Sequence, residues 1–111
     1  MKASDFCIIT TTTDSKENAD AMTQNLLEKK LVACVQSSTI QSAYHWEGQI
    51  IRSEEILLQL KTKRELFQTI QEEIEKLHTY DVPEIILIPI EDANSSYLQW
   101  IKNETQDILT S

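Results

Sequence analysis

Glycine is almost missing: Gly48 is the only one in 111 residues. Loops that cradle phosphate need several glycines, so that the backbone can approach the anion. The count excludes a P-loop and a dinucleotide-binding fingerprint. Cysteine is nearly as scarce. Cys7 and Cys34 each sit in an apolar stretch, which argues against a disulfide framework and reads as two small reduced core residues. No stretch is long and apolar enough to span a bilayer. Basic residues are few: ten Lys and Arg stand against eighteen Asp and Glu, a net charge of −8. That balance excludes nucleic acid as a partner, since phosphate backbones need clustered positive charge. It leaves cations and basic partners open. The opening "MKASDFCIITTTTDS" has no apolar run of secretory type, and Asp5 interrupts it early, so a cytoplasmic protein is expected.

What is present is a globular composition, 41% apolar and 25% charged, predicting one domain over residues 1–111. "FCIITTTT" (6–13) is β-branched and predicts a strand. Asp14 with Glu17 has the spacing of a capping box. Ala19, Met22, Leu26 and Leu31 then recur at helical spacing, predicting a helix over 15–31. Residues 32–46 and 49–62 read as two long strands joined by a tight turn at Glu47-Gly48. Thr62 and Glu65 form a second capping-box pattern, followed by the stripe Leu66, Ile70, Ile74 and Leu77 of a second helix. Pro83 stops that helix, "EIILIPI" (84–90) predicts a fourth strand, and residues from Asn94 or Ser95 predict a short helix capped by one of them.

The order β-α-β-β-α-β plus a terminal helix predicts an α+β fold of the ferredoxin-like, split βαβ type, with an antiparallel sheet. Two helices cover one sheet face. The other face carries apolar residues that one short helix cannot cover, which predicts a homo-oligomer.

Few groups point to chemistry. No CxxC, HxxxH or HExxH spacing exists for a metal. His78 follows the second helix, where an imidazole suits the helix C-terminus. Tyr44 and Trp46 share a strand face beside the turn, as a ligand pocket or a subunit contact requires. Lys61 stands at a strand end opposite the Leu58 and Leu60 face, placed to pair with Glu84 or to bind an anion. No nucleophile elbow or triad order is present. Glu54-Glu55 and Glu72-Glu73 read as solvated pairs, each split across two faces. An enzyme is not expected.

The phrases "LVACV" (31–35), "SAYHWEG" (42–48), "LKT" (60–62), "HTYDVPEI" (78–85), "PI" (89–90) and "YLQWI" (97–101) resemble, in order and spacing, the CutA divalent-cation-tolerance family. The resemblance covers nearly the whole chain. It implies a ferredoxin-like protomer in a homotrimer of PII-like shape, with the long hairpin reaching a neighbour. It also implies tolerance of copper and other divalent cations without an enzymatic reaction. His78 falls on the histidine of the family motif, and Cys34 on the cysteine of its "ACV". Some copper-binding members carry a second histidine where this chain has Leu77, and a first-strand cysteine where it has Thr11. The usual proline after the motif histidine is Thr79.

Two readings result. In the first, a cytoplasmic homotrimer binds divalent cations, copper among them, weakly through His78 and Cys34. In the alternative, a PII-like trimer holds a small anionic metabolite in an inter-subunit cleft through Lys61, Tyr44, Trp46 and Glu84.

Overall fold

The computed structural model describes residues 1–107; the last four residues of the expected domain lie outside them. After a 3₁₀ turn at Ala3–Asp5, the elements are β1 (Phe6–Thr13), α1 (Lys16–Glu28), β2 (Cys34–Trp46), β3 (Gln49–Lys63), a 3₁₀ turn at Arg64–Leu66, α2 (Phe67–Leu77), β4 (Ile86–Pro89) and α3 (Ser95–Glu104). The strands form one sheet in the order β2-β3-β1-β4. Every neighbouring pair is antiparallel. The predicted α+β arrangement and element order hold.

The alternation of side chains divides the sheet. Cys7, Ile9, Leu58 and Leu60 point to one face and pack with Met22 and Leu26 of α1 and Ile70 and Ile74 of α2. These side chains are at most 1% exposed, and burying each aliphatic one contributes about 1.5–3 kcal/mol. On the other face α3 covers only one end, where Phe6, Leu98 and Ile101 form a small second core. Ile86 and Ile88 on β4 remain half exposed. Their register partners Thr10 and Ile8 place them on this open face.

Beyond the last β1 partner, Thr13↔Ile56, β2 and β3 continue alone through seven pairs, from Ile40↔Glu55 to Trp46↔Gln49. At about 3.4 Å per residue, this two-stranded arm projects roughly 24 Å. Its turn puts Glu47 at φ 49° and Gly48 at φ 78°. Two positive φ values are what a two-residue hairpin turn needs to match strand twist, and they explain why the chain's only glycine stands here.

Several predicted boundaries shift for local reasons. The α1 cap is Ser15, whose Oγ accepts from the Asn18 N–H at 3.1 Å, rather than Asp14. The helix ends before Leu31. Leu31 N–H returns to Leu26 O and Lys30 N–H to Leu27 O, both at 3.0 Å, with Lys30 at φ 54°. This is a Schellman ending with lysine where glycine is usual. Thr62 caps nothing. It lies in β3 and donates to Leu31 O at 2.6 Å, so the stretch read as a cap is the strand's end. The terminal helix does begin after Asn94, but without a side-chain capping bond.

Lys63, one residue past the predicted strand end, is 5% exposed. Its ammonium donates to Gln106 O at 2.9 Å, which ties the segment after α3 to the sheet.

Candidate functional site

The stretch His78–Glu84 leaves α2, crosses the end of β1 and folds onto the open face. His78 N–H donates to Ile74 O at 2.8 Å, closing the helix. The ring is held from both sides. Nε2 lies 2.7 Å from Thr12 O and Nδ1 accepts the Tyr80 N–H at 3.0 Å. A carbonyl can only accept, so Nε2 carries the proton and Nδ1 the lone pair. Tyr80 then tilts against the imidazole, with ring centroids 4.8 Å apart.

From there Tyr80 reaches across the sheet, and its hydroxyl donates to Glu55 Oε2 at 2.7 Å. Burial, then this hydrogen bond to a carboxylate, push the phenol well above its ordinary range. Glu84 folds back at the far end of the stretch and accepts from Thr10 Oγ1 at 2.9 Å. Together these bonds explain why Thr10 and Thr12, on the open face, are each only 8% exposed.

The result is a cavity of about 740 Å³ where the arm leaves the sheet. Tyr44 and Trp46 line it from β2, Glu55 from β3, and Tyr80, Asp81 and Glu84 from the junction. Neither Lys nor Arg is among its lining residues.

Of the residues predicted to contact a ligand, Tyr44, Trp46 and Glu84 therefore meet at one cavity. Lys61 does not join them. It pairs with Cys34 and Ile8 in register, at the α3 end of the face, and its ammonium lies 5.4 Å from the centre of the Tyr97 ring. Tyr97 in turn stacks on Trp100 at 5.5 Å. The expected Lys61–Glu84 pair is replaced by a cation–π contact and by the Thr10–Glu84 bond.

The two predicted metal ligands are also kept apart. Cys34 shares the row of Ile8, whereas His78 bonds at Thr12. Four residues of strand separate those rows, about 13 Å, and β3 lies between β2 and β1. The only lone pair of the His78 ring is already used by Tyr80. Among the described residues no three of His, Cys, Asp and Glu converge as a metal centre requires. Thr11, where the resemblance would place the first-strand cysteine of some copper-binding members, is fully buried, and its hydroxyl has no partner among the described residues. The donor set present in one chain does not fit a resident divalent metal.

Glu55 was the residue least visible in the sequence. The Glu54-Glu55 pair does split across faces, and Glu54 accepts from Gln41 at an exposed position. Glu55 is not solvated: it is 6% exposed. Its shared face with Tyr44 was the available signal. The second pair behaves alike. Glu73 is 8% exposed and accepts from Lys29, from Asn25 at 3.0 Å and from Lys76 at 2.9 Å. The Lys29 bond first, then those of Asn25 and Lys76, hold its carboxyl down to about 2. Cys7, by contrast, faces the core, and burial pushes its thiol up to about 11 despite nearby Arg64.

The CutA1 divalent ion tolerance protein family matches residues 7–104 of this chain. The chain belongs to the CutA family. A divalent-cation tolerance protein CutA of Pyrococcus horikoshii is 38% identical over 99 residues, covering 89% of this chain and 97% of its own length. The chloroplastic CutA 1 of rice (Oryza sativa) is 37% identical, over 90% of this chain and 57% of the longer plant protein. The solved structure of the periplasmic divalent cation tolerance protein CutA of Archaeoglobus fulgidus superposes with a TM-score of 0.88 at 37% identity, covering 91% of this chain and 99% of that one. The CutA match spans β1 through α3, and so includes the arm, the His78–Glu84 junction and the Tyr97–Trp100 stack.

Proposed function

We propose that this protein acts in divalent-cation tolerance as a non-enzymatic homotrimer in the cytoplasm, and that it meets divalent cations through weak, exchangeable contacts. The family match over residues 7–104 carries the reading. Three features of the chain support the assembly. Among the described residues the two-stranded arm has no third strand, and isolated hairpins are marginal in water. The arm exposes Trp46 and Ile50 at 46% and 67%. Strands β2 and β4 both present open sheet edges, which proteins normally pair or protect. The free thiols of Cys7 and Cys34 suit a reducing compartment.

Weak rather than resident metal binding follows from the junction. A metal at His78 Nδ1 has to displace the Tyr80 N–H, and Cys34 lies too far away to add a second bond. Copper, which favours imidazole and thiolate, therefore finds separate single donors. Calorimetric titration of Cu(II) into wild type and His78→Ala tests this. The expected result is weak binding in both, differing by less than about threefold. A tight single site lost in His78→Ala would overturn it.

The alternative, a small anionic metabolite, has less support. Its predicted cation Lys61 lies away from Tyr44, Trp46 and Glu84, and the cavity those three line is acidic.

A further inference from the structure

We propose that each subunit lays the Ile50–Arg52 face of its arm into the cavity at the root of a neighbour's arm, and that this Arg52 pairs there with the neighbour's Glu55 and Glu84. The occupant is a second copy of this chain, so the contact rests on the homotrimer reading and adds the residues that join its subunits.

The two faces of the arm differ. Tyr44 pairs with Ile51 and Ile40 with Glu55, and partners in register share a face. That face meets the cavity. His45 pairs with Ile50 and Ala43 with Arg52, which places Ile50 and Arg52 together on the opposite face. Ile50 is 67% exposed. Arg52 is exposed and has no ion-pair partner among the described residues. An apolar side chain and an unpaired guanidinium thus stand two residues apart on a surface that the described residues leave bare.

The cavity has the complementary composition. Tyr44 and Trp46 supply rings, and Glu55, Asp81 and Glu84 supply carboxylates, without Lys or Arg among the lining residues. Glu55 is already 6% exposed in the single chain. Among the described residues only the Tyr80 hydroxyl donates to it. A neighbour covering this face strips the remaining water from the carboxylates. Buried carboxylates are costly unless a cation comes with the covering surface. The neighbour must therefore bring positive charge, and an apolar group suits the rings beside it.

Arg52 is the cation placed to do so. It is the only Lys or Arg between Ile40 and Glu55. Lys16, Lys29, Lys63 and Lys76 are held by carboxylates of their own chain, and Lys61 lies over Tyr97. Arg64 and Lys102 gather with Lys63 at the opposite end of the sheet. Arginine also suits the chemistry, because its planar fork pairs with carboxylates and stacks on rings.

A chain cannot make this contact with itself, since Arg52 and Glu55 lie on opposite faces of one strand. The giving and receiving patches are different surfaces. Such head-to-tail contacts close into rings, and in a trimer each subunit gives one arm and receives one.

Cross-linking tests the contact. In a Cys34→Ser background, chains carrying Arg52→Cys are co-expressed with chains carrying Glu84→Cys. The purified protein is treated with a short bismaleimide; Cys7 is buried. The expected result is a covalent two-chain product from the mixed assembly and none from either variant alone. A mixed trimer without that product, or an equal product from one variant alone, would overturn the proposal. Charge exchange gives a second readout by light scattering on dilution. Arg52→Glu should weaken assembly about tenfold or more, and adding Glu84→Arg to it should restore most of the loss. Unchanged assembly in Arg52→Glu, or no restoration in the double variant, would also count against the contact. A wild-type chain that is monomeric removes the trimer itself, whereas a wild-type trimer that fails these tests loses only the Arg52 contact.

Discussion

Tyr80 and Glu55 are 25 residues apart in sequence, and the phenol donates to the buried carboxylate at 2.7 Å. This bond fastens the junction after α2 to the first pair of the arm. It therefore connects the His78–Glu84 junction to the part of the fold that has least support of its own.

The bond should be measurable in stability. Tyr80→Phe removes the only donor to the buried Glu55 carboxylate among the described residues, and should lower unfolding free energy by about 1.5–3 kcal/mol. Glu55→Gln keeps an acceptor for the phenol and should cost less. A double-mutant cycle by urea unfolding should give a coupling of about 1 kcal/mol or more. Additive single effects would mean the bond contributes nothing.

Glu73 should set part of the acid stability. Its folded carboxyl is held down to about 2 from an ordinary value near 4.5. A depressed folded value contributes stability that is complete above about pH 4.5 and is lost as pH falls towards 2. Lys29 and Lys76 are largely exposed, so solvent screening reduces the contribution to about 1–2 kcal/mol. Glu73→Gln should flatten the stability profile between these pH values, with little change in slope above pH 5. An unchanged acid limb would remove this ion-pair cluster from the account.

Two substitutions should stabilise. Lys30 ends α1 at φ 54°, a conformation that costs a side-chain-bearing residue about 1–2 kcal/mol. Glycine relieves that strain but has more freedom to lose on folding, so Lys30→Gly should gain about 0.5–1 kcal/mol in denaturant unfolding.

Thr11 is the second case. Its hydroxyl is buried without a partner, and Thr11→Val removes the unsatisfied group at nearly constant shape. The variant should be more stable by about 1 kcal/mol in the same assay. A loss of stability would show that the hydroxyl finds a partner in the assembled protein.

Much of this architecture was legible in the sequence. The β-branched run 6–13, the helical stripe through Ile70 and Ile74, and the single glycine after Glu47 each match local structure to one pattern. The misplaced boundaries have a common cause. Thr62 and Asp14 have capping spacing, but Thr62 is claimed by Leu31 O across the sheet, and Ser15 makes the α1 cap. Local pattern could not reveal a tertiary partner. The same limit applied to the site. The sequence marks Tyr44, Trp46 and Glu84, whereas Glu55 reads as half of a solvated pair, and only the fold brings the Tyr80 hydroxyl to it. From the sequence, Lys61 at the end of the third strand, a lysine among apolar neighbours, is expected to pair with a carboxylate such as Glu84 or to bind an anion. Only the register shows that Lys61 and Glu84 lie at opposite parts of the sheet.

The central claim is that the arm, the open face and the two free sheet edges belong to a three-chain assembly. Light scattering coupled to size exclusion tests it most directly, at about micromolar concentration, far below where weak contacts persist. The account predicts one species at three times the chain mass, unchanged on dilution. A monomer of the single-chain mass, stably folded at that concentration, would contradict it.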